Sequence, residues 1–164
     1  MGFNNTDRLS SINEIFVNMR EDPESFLVIL SHQGSHEVIA TATCRRYLGP
    51  DEHSTPWMCS HVVEDGTEEW ELKLLATHPF AQGKGAGAVV LKAVEQEIIN
   101  RFAIKRKMAS THTPTRLKMV LCTVQELFPE FYRRKGYRED YIHQRGEGFN
   151  FSIMFMSKTL TTID

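Results

Sequence analysis

The sequence predicts a mixed α/β sheet, mostly antiparallel, with a parallel pair at its centre and helices on both faces. Three observations predict it. Phe26–Ser31 and Glu37–Tyr47 are runs rich in apolar and β-branched residues around the turn His32-Gln33-Gly34-Ser35, the pattern of an antiparallel hairpin. At the other end, Tyr137–Gln144 and Phe149–Met156 flank Arg145-Gly146-Glu147-Gly148 and read as a second hairpin. Between them a strand, a glycine-rich loop, a helix and another strand follow in order, which implies a parallel crossover.

Taken in order, Ser11 and Glu14 form a capping box ahead of Ile12, Ile15, Phe16 and Met19, a short amphipathic helix that stops before Pro23. After the first hairpin, Leu48–Thr67 carries two prolines and few periodic residues and is expected to be a long loop, with Trp57-Met58 and His61-Val62-Val63 returning to the core. Glu68–Ala76 alternates, with Trp70, Leu72 and Leu74 on one face and Glu69, Glu71 and Lys73 on the other. A helix from Gly87 to about Arg101 buries Val90, Leu91, Val94 and Ile98 and turns Glu95 and Glu97 outward. Phe102–Arg116 reads as a basic connection, Leu117–Val124 as a buried strand, and Gln125–Lys135 as a short helix interrupted by Pro129 and closed by Gly136.

Composition narrows the classes. A chain of 164 residues with 41% apolar and 24% charged residues suits one soluble domain over residues 1–164. A net charge of −2 gives no general attraction to nucleic acid or anionic membrane. Cys44, Cys59 and Cys122 form no CxxC pair and fit a reducing, cytoplasmic compartment. Met1–Arg20 lacks a signal-peptide apolar core, and no run reaches membrane-spanning length. Cys59-x-His61 near His53 lacks the paired spacing of a zinc site, so no metal is expected, and Cys122 reads as a small core residue.

The stretch Leu74–Leu91 carries the chemistry. Gly83, Gly85 and Gly87 let backbone approach a ligand, and the helix that follows offers unpartnered amides to an anion. Walker-type spacing is absent. A relaxed dinucleotide fingerprint is present in Gly83-x-Gly85-x-x-Ala88, but it follows a hairpin and a further strand instead of opening a βαβ series. Two motifs decide between the readings. Gln82-x-x-Gly85-x-Gly87 after an apolar strand resembles the Q/R-x-x-G-x-G/A motif of the GNAT N-acetyltransferase superfamily. Phe131-Tyr132-Arg133-Arg134-Lys135-Gly136-Tyr137 resembles the later signature of the same superfamily, and a strand separates the two motifs as it does there. The resemblance spans roughly Arg8 to the C-terminus.

That resemblance implies the following. Acetyl-CoA is the acyl donor, its pyrophosphate held by Gln82, Gly83, Lys84, Gly85, Ala86, Gly87 and Ala88. Leu74, Leu75 and Ala76 lie where the family strand bulges and splays from its parallel neighbour, so that the pantetheine arm hydrogen-bonds the exposed edge and an amide near Leu75 polarises the thioester carbonyl. Lys84 or Arg133 meets the adenosine 3′-phosphate or remains a solvated charge. Tyr132 takes the place of the acid that protonates the departing thiolate. Glu71 takes the place of the base, with Glu69 or a water relay as alternatives. Gln125 stands where many members carry a cofactor-binding Asn, and His78 marks a turn. The acceptor is a primary amine, acetylated by direct transfer; a non-catalytic acyl-CoA-binding module on the same fold is the alternative. Compared with the family, the residues before Phe26 leave no room for its first strand and helix, so Phe26–Ser31 is expected as an edge strand: either the chain is a shortened form, or a second subunit covers that edge.

Overall fold

The computed structural model describes residues 22–50, 59–108, 114–144 and 151–162. The helix expected over Ser11–Arg20, the turn Arg145–Gly148, and Trp57-Met58 lie outside them. Six strands form one sheet: β1 (Phe26–Ser31), β2 (Val38–Tyr47), β3 (Thr67–Thr77), β4 (Arg116–Val124), β5 (Arg138–Gln144) and β6 (Ser152–Thr162). Their order is β1-β2-β3-β4-β6-β5, parallel between β3 and β4 and antiparallel at every other pairing. Both hairpins and the central parallel pair therefore match the sequence expectation. β1 is an edge strand among the described residues.

Helix α1 (Ala86–Met108) joins β3 to β4, and α2 (Pro129–Arg133) follows β4. Helix α1 is about two turns longer than its sequence suggested. Phe102, fully buried, extends the stripe Val90, Leu91, Val94 and Ile98, and Lys105, Arg106 and Lys107 occupy the last turn, where cations complement the dipole. The basic run is thus helical and not a loop. Glu95 also corrects expectation. It does not face solvent but accepts from Lys158 Nζ at 2.8 Å and from the Tyr137 hydroxyl at 2.9 Å. Burial, with Glu95 beside it, pushes the Tyr137 hydroxyl far above its ordinary pKa. Pro129 does not interrupt α2 but starts it, at a position where its missing N–H costs nothing. Gly136, at φ +88°, ends the following turn.

The core on the α1 side is built from alternating strand residues: Phe26, Ala40, Ala42, Cys44, Trp70, Leu72, Met119, Leu121, Met154 and Met156. Trp70 is 0% exposed, edge-on to Phe26 at 5.7 Å, and its Nε1 donates to Glu68. Arg101 lies 4.4 Å over the Phe26 ring and closes this corner. The second face holds Tyr47, Val120, Ile153 and Phe155, covered by a strap at residues 59–63 through Cys59 and Val63. No described helix is long and apolar enough to cross a membrane.

One substitution pair tests this partition. Trp70→Ala is expected to lower stability by ~3–5 kcal/mol, because the indole has no room to be replaced by water. Val62→Ala, on the strap but 79% exposed, is expected to change it by less than ~0.5 kcal/mol. Urea unfolding midpoints at unchanged m-value measure both.

Candidate active site

The site begins with an interruption in β3. Thr67 to Leu72 pair with β4, Glu69 to Leu72 also with β2 on the other side, and the parallel pairing stops at Leu72–Leu121. Beyond that point β4 continues with β6 as far as Val124–Ile153, while β3 continues with β2 only. The two parallel strands part company there. At the same place Lys73 is skipped by the β2 register, which runs from Cys44–Leu72 to Thr43–Leu74. An extra residue bends a strand and reverses its alternation. Hence the correction: Leu75, not Leu74, packs on the α1-side core with Trp70 and Leu72. Among the described residues, the edge of β3 from Lys73 to Thr77 has no strand partner on the β4 side.

That open edge runs into the glycine loop. His78 accepts from the Phe80 amide through Nδ1 and caps a single 3-10 turn at Pro79–Ala81, the turn-forming role expected of it. Gln82 Nε2 donates to the Thr77 carbonyl at 3.3 Å and ties the loop back to the end of β3. The amides of Gln82 and Lys84 are used inside the turn, on Pro79 O and Ala81 O, so these two residues have no spare backbone donor for a ligand. Gly83 and Gly85 sit at φ +72° and +89°, the left-handed region, with no protein atom within 4 Å of where a Cβ would stand. The first bond of α1 runs from the Val89 amide to the Gly85 carbonyl. The residue ahead of the helix has no capping side chain, and the first turn holds no acidic residue. Ala86, Gly87 and Ala88 therefore present amides without an intrahelical acceptor at the positive end of a 23-residue helix.

Gly87 has a different task. A Cβ there would meet Thr77 Oγ1 at 3.1 Å and Phe131 Cζ at 3.7 Å, so this glycine seats α1 between the end of β3 and α2. The contact brings the loop, the open edge and the second signature together. Tyr132 neighbours Phe131 at 5.0 Å and Tyr137 at 5.8 Å and packs on the α1-side core. Gln125 follows β4 in a turn, its amide bonded to Ser152 O. Arg133 is held by Glu130 and Glu139, which raise its pKa further, while Lys84 is exposed at the loop.

Glu71 is placed otherwise. It lies on the opposite face from α1, 2% exposed, with Oε2 accepting from Arg45 Nε at 2.8 Å and Oε1 3.5 Å from Lys73 Nζ. Glu69 lies on the same face, 0% exposed, with Oε2 2.5 Å from His61 Nε2 and Lys118 4.0 Å from Oε1. The sheet thus separates both carboxylates from the side on which Tyr132 packs. Sequence reading missed Arg45, whose partner is set by the β2–β3 register Arg45–Glu71. Two adjacent arginines inside a strand were the signal: Arg46 likewise pairs with buried Glu68. Cys59 and Cys122, read separately from the sequence, have sulfurs 3.6 Å apart.

Comparison with known proteins follows this geometry. A sequence profile of the acetyltransferase (GNAT) family matches residues 4–120. No curated protein sequence matches the chain. Among solved structures, the ribosomal-protein-S18-alanine N-acetyltransferase from Escherichia coli superposes with a TM-score of 0.60 at 15% identity, over 92% of this chain and 79% of that one. The aminoglycoside 6'-N-acetyltransferase from Enterococcus faecium gives 0.61 at 16%, over 94% and 82%. An aminoglycoside 6'-N-acetyltransferase complexed with coenzyme A gives 0.58 at 16%, over 97% and 92%. At such identities the likeness is one of fold.

The loop geometry predicts a contrast between glycines. Gly85→Ala is expected to cost ~1–2 kcal/mol, because an L-residue is strained at positive φ. Gly34→Ala, where φ is not in the left-handed region and the nearest atom would be 3.6 Å away, is expected to be neutral or stabilising by under ~1 kcal/mol. Thermal and urea unfolding of the two variants check this.

Proposed function

Since the chain belongs to the acetyltransferase (GNAT) family, we propose that it is an N-acetyltransferase that moves an acetyl group from acetyl-CoA to a primary amine by direct transfer in a ternary complex. The observation that supports this most is the parting of β3 from β4 after Leu72 beside the uncapped start of α1. A slot with an unpaired strand edge at one end and free amides at the other suits a ligand with a peptide-like arm and a pyrophosphate. The open space over Gly83 and Gly85 suits the same group. When bound, acetyl-CoA supplies a thioester whose carbonyl carbon accepts the amine and whose thiolate leaves.

In this reading the chain does four things. Amides of Gly85 to Ala88 hold the pyrophosphate, with Gln82 fixing the loop and Lys84 adding charge. The edge at Leu74, Leu75 and Ala76 orients the arm and offers an amide to the oxygen on which negative charge develops. Tyr132 donates its proton to the departing sulfur. Glu71 takes a proton from the amine, directly or through water. The acceptor reaches Glu71 from the face away from α1, and one domain over residues 1–164 in the cytoplasm carries the activity. Pairing of a second copy along β1 would cover the exposed edge of the sheet.

A second reading, an acyl-CoA-binding module without turnover, draws support from Glu71 itself, which is buried and occupied by Arg45 and Lys73. Calorimetry with acetyl-CoA, followed by thiol release against a panel of amines, separates the two. Binding with turnover is expected; binding with no turnover on any amine favours the module, and no affinity for acetyl-CoA refutes both. Tyr132→Phe is expected to lower kcat by about 10²-fold or more while acetyl-CoA affinity holds. Equal loss of both would deny Tyr132 the acid role. Gly85→Val should abolish acetyl-CoA binding by putting a branched side chain into the slot. Glu71→Gln is expected to lower kcat by about 10²-fold or more while acetyl-CoA affinity holds; unchanged turnover would make Glu71 a partner of Arg45 only.

A further inference from the structure

The second face of the sheet carries a feature that acyl transfer does not use. The strap at residues 59–63 lies across four strands and is fastened to each by a different contact. Tyr47 of β2 donates its hydroxyl to His61 O at 2.7 Å, and His61 Nε2 meets Glu69 of β3. Ser60 Oγ is 3.3 Å from the Tyr141 hydroxyl of β5. Cys59, 1% exposed, is packed with Val120 of β4, and its Sγ lies 3.6 Å from that of Cys122. Cys122 is one residue past the last β3–β4 pair, on the half of β4 that has left β3. A carboxylate oxygen of Glu71 and both sulfurs all lie within 4.8 Å of one another.

We propose that Cys59 and Cys122 form a dithiol site oxidised by hydroperoxides, whose disulfide fastens the strap to β4 beside Glu71. The sulfurs are in van der Waals contact at 3.6 Å, close enough to be brought to bond length by a small movement of the strap. Cys122, half-buried, is the thiol an oxidant reaches; Cys59, buried, is the thiol that resolves the product. In the first step the Cys122 sulfur attacks the peroxide oxygen, the O–O bond breaks, and Cys122 becomes a sulfenic acid while the hydroperoxide leaves as an alcohol (or water, from hydrogen peroxide). In the second, the Cys59 sulfur attacks the Cys122 sulfur, the S–O bond breaks, and hydroxide departs as water with the proton of Cys59. Two thiols are oxidised and one peroxide is reduced. Contact with Cys122, together with burial, pushes the Cys59 thiol up, which disfavours it as the first nucleophile. Cys44 is excluded, because it is buried on the opposite face against the α1-side core.

A divalent metal held by the same three residues is the poorer reading. Both oxygens of Glu71 already face cations, Arg45 at 2.8 Å and Lys73 at 3.5 Å, and a metal would have to displace or repel them. A disulfide is neutral and leaves that ion pair intact.

The test treats the full chain with hydrogen peroxide, alkylates the remaining thiols under denaturing conditions and maps peptides without reduction. The expected result is a Cys59–Cys122 peptide pair that disappears on treatment with dithiothreitol, with Cys44 recovered alkylated. Amide exchange across residues 60–63 is expected to slow on oxidation and to recover on reduction, and Cys122→Ser and Cys122→Ala are each expected to lose both responses. Recovery of Cys59 and Cys122 as alkylated thiols, as singly over-oxidised acids, or in bonds to Cys44 would overturn the proposal. So would exchange that does not change. A further arm rests on the acetyltransferase reading: oxidation lowers amine acetylation while acetyl-CoA binding holds, and unchanged turnover in fully oxidised protein would overturn the link to Glu71. The mapping decides the disulfide whether or not that reading survives.

Discussion

Everything distinctive about this molecule depends on β3 having two kinds of neighbour. Its first half is clamped between β2 and β4 and is buried from Thr67 to Leu72. Its second half keeps β2 alone, and the skipped Lys73 marks the change. The fold leaves Lys73–Thr77 open on the β4 side and points it at a glycine loop whose following helix has no cap. Both are backbone edges open to water, and a ligand with an amide-bearing arm and a pyrophosphate suits both.

The cost of clamping the first half is visible in its charges. Glu68, Glu69 and Glu71 are all buried, a placement that is unfavourable unless each carboxylate is paired. Each has a partner: Glu68 with Arg46 and the Trp70 indole, Glu69 with His61 through Oε2 while its Oε1 has no hydrogen bond among the described residues, and Glu71 with Arg45. The pairing crosses from β2 and from the strap, so the sheet register and the strap position are both set by the same row of acids. This explains why Tyr47, His61 and Glu69 interlock. It also bears on Glu71 as a base, since a carboxylate holding two cations gives up one of them before it holds a proton from an amine.

Much of this was legible in the sequence. Strands with clear turns on both sides, such as Phe26–Ser31 and Leu117–Val124, are found within a residue of their expected bounds because flanking turn residues punctuate them. The glycine loop, its strand and the Phe131–Tyr137 signature are local patterns, and they come together where Gly87 faces Thr77 and Phe131. What could not be read depends on register. Leu74 and Leu75 exchange faces because of one unpaired residue, and nothing in Glu-Leu-Lys-Leu-Leu marks Lys73 as the bulge. Arg45 and Glu71, or Cys59 and Cys122, are far apart in the chain and adjacent only once β2, β3 and β4 are aligned. The length of α1 was underread for a simpler reason: the basic run Lys105–Lys107 looks like a loop until Phe102 is seen to continue the buried stripe.

The central claim is that acetyl-CoA occupies the slot between the parted strands and the start of α1. Hydrogen exchange of the full chain with and without saturating acetyl-CoA tests it directly. The account predicts slowed exchange at Leu74–Thr77 and at Gly83–Ala88, with β1 and the outer turns of α1 unchanged. Protection elsewhere, or none at either segment while binding is demonstrated, would contradict it.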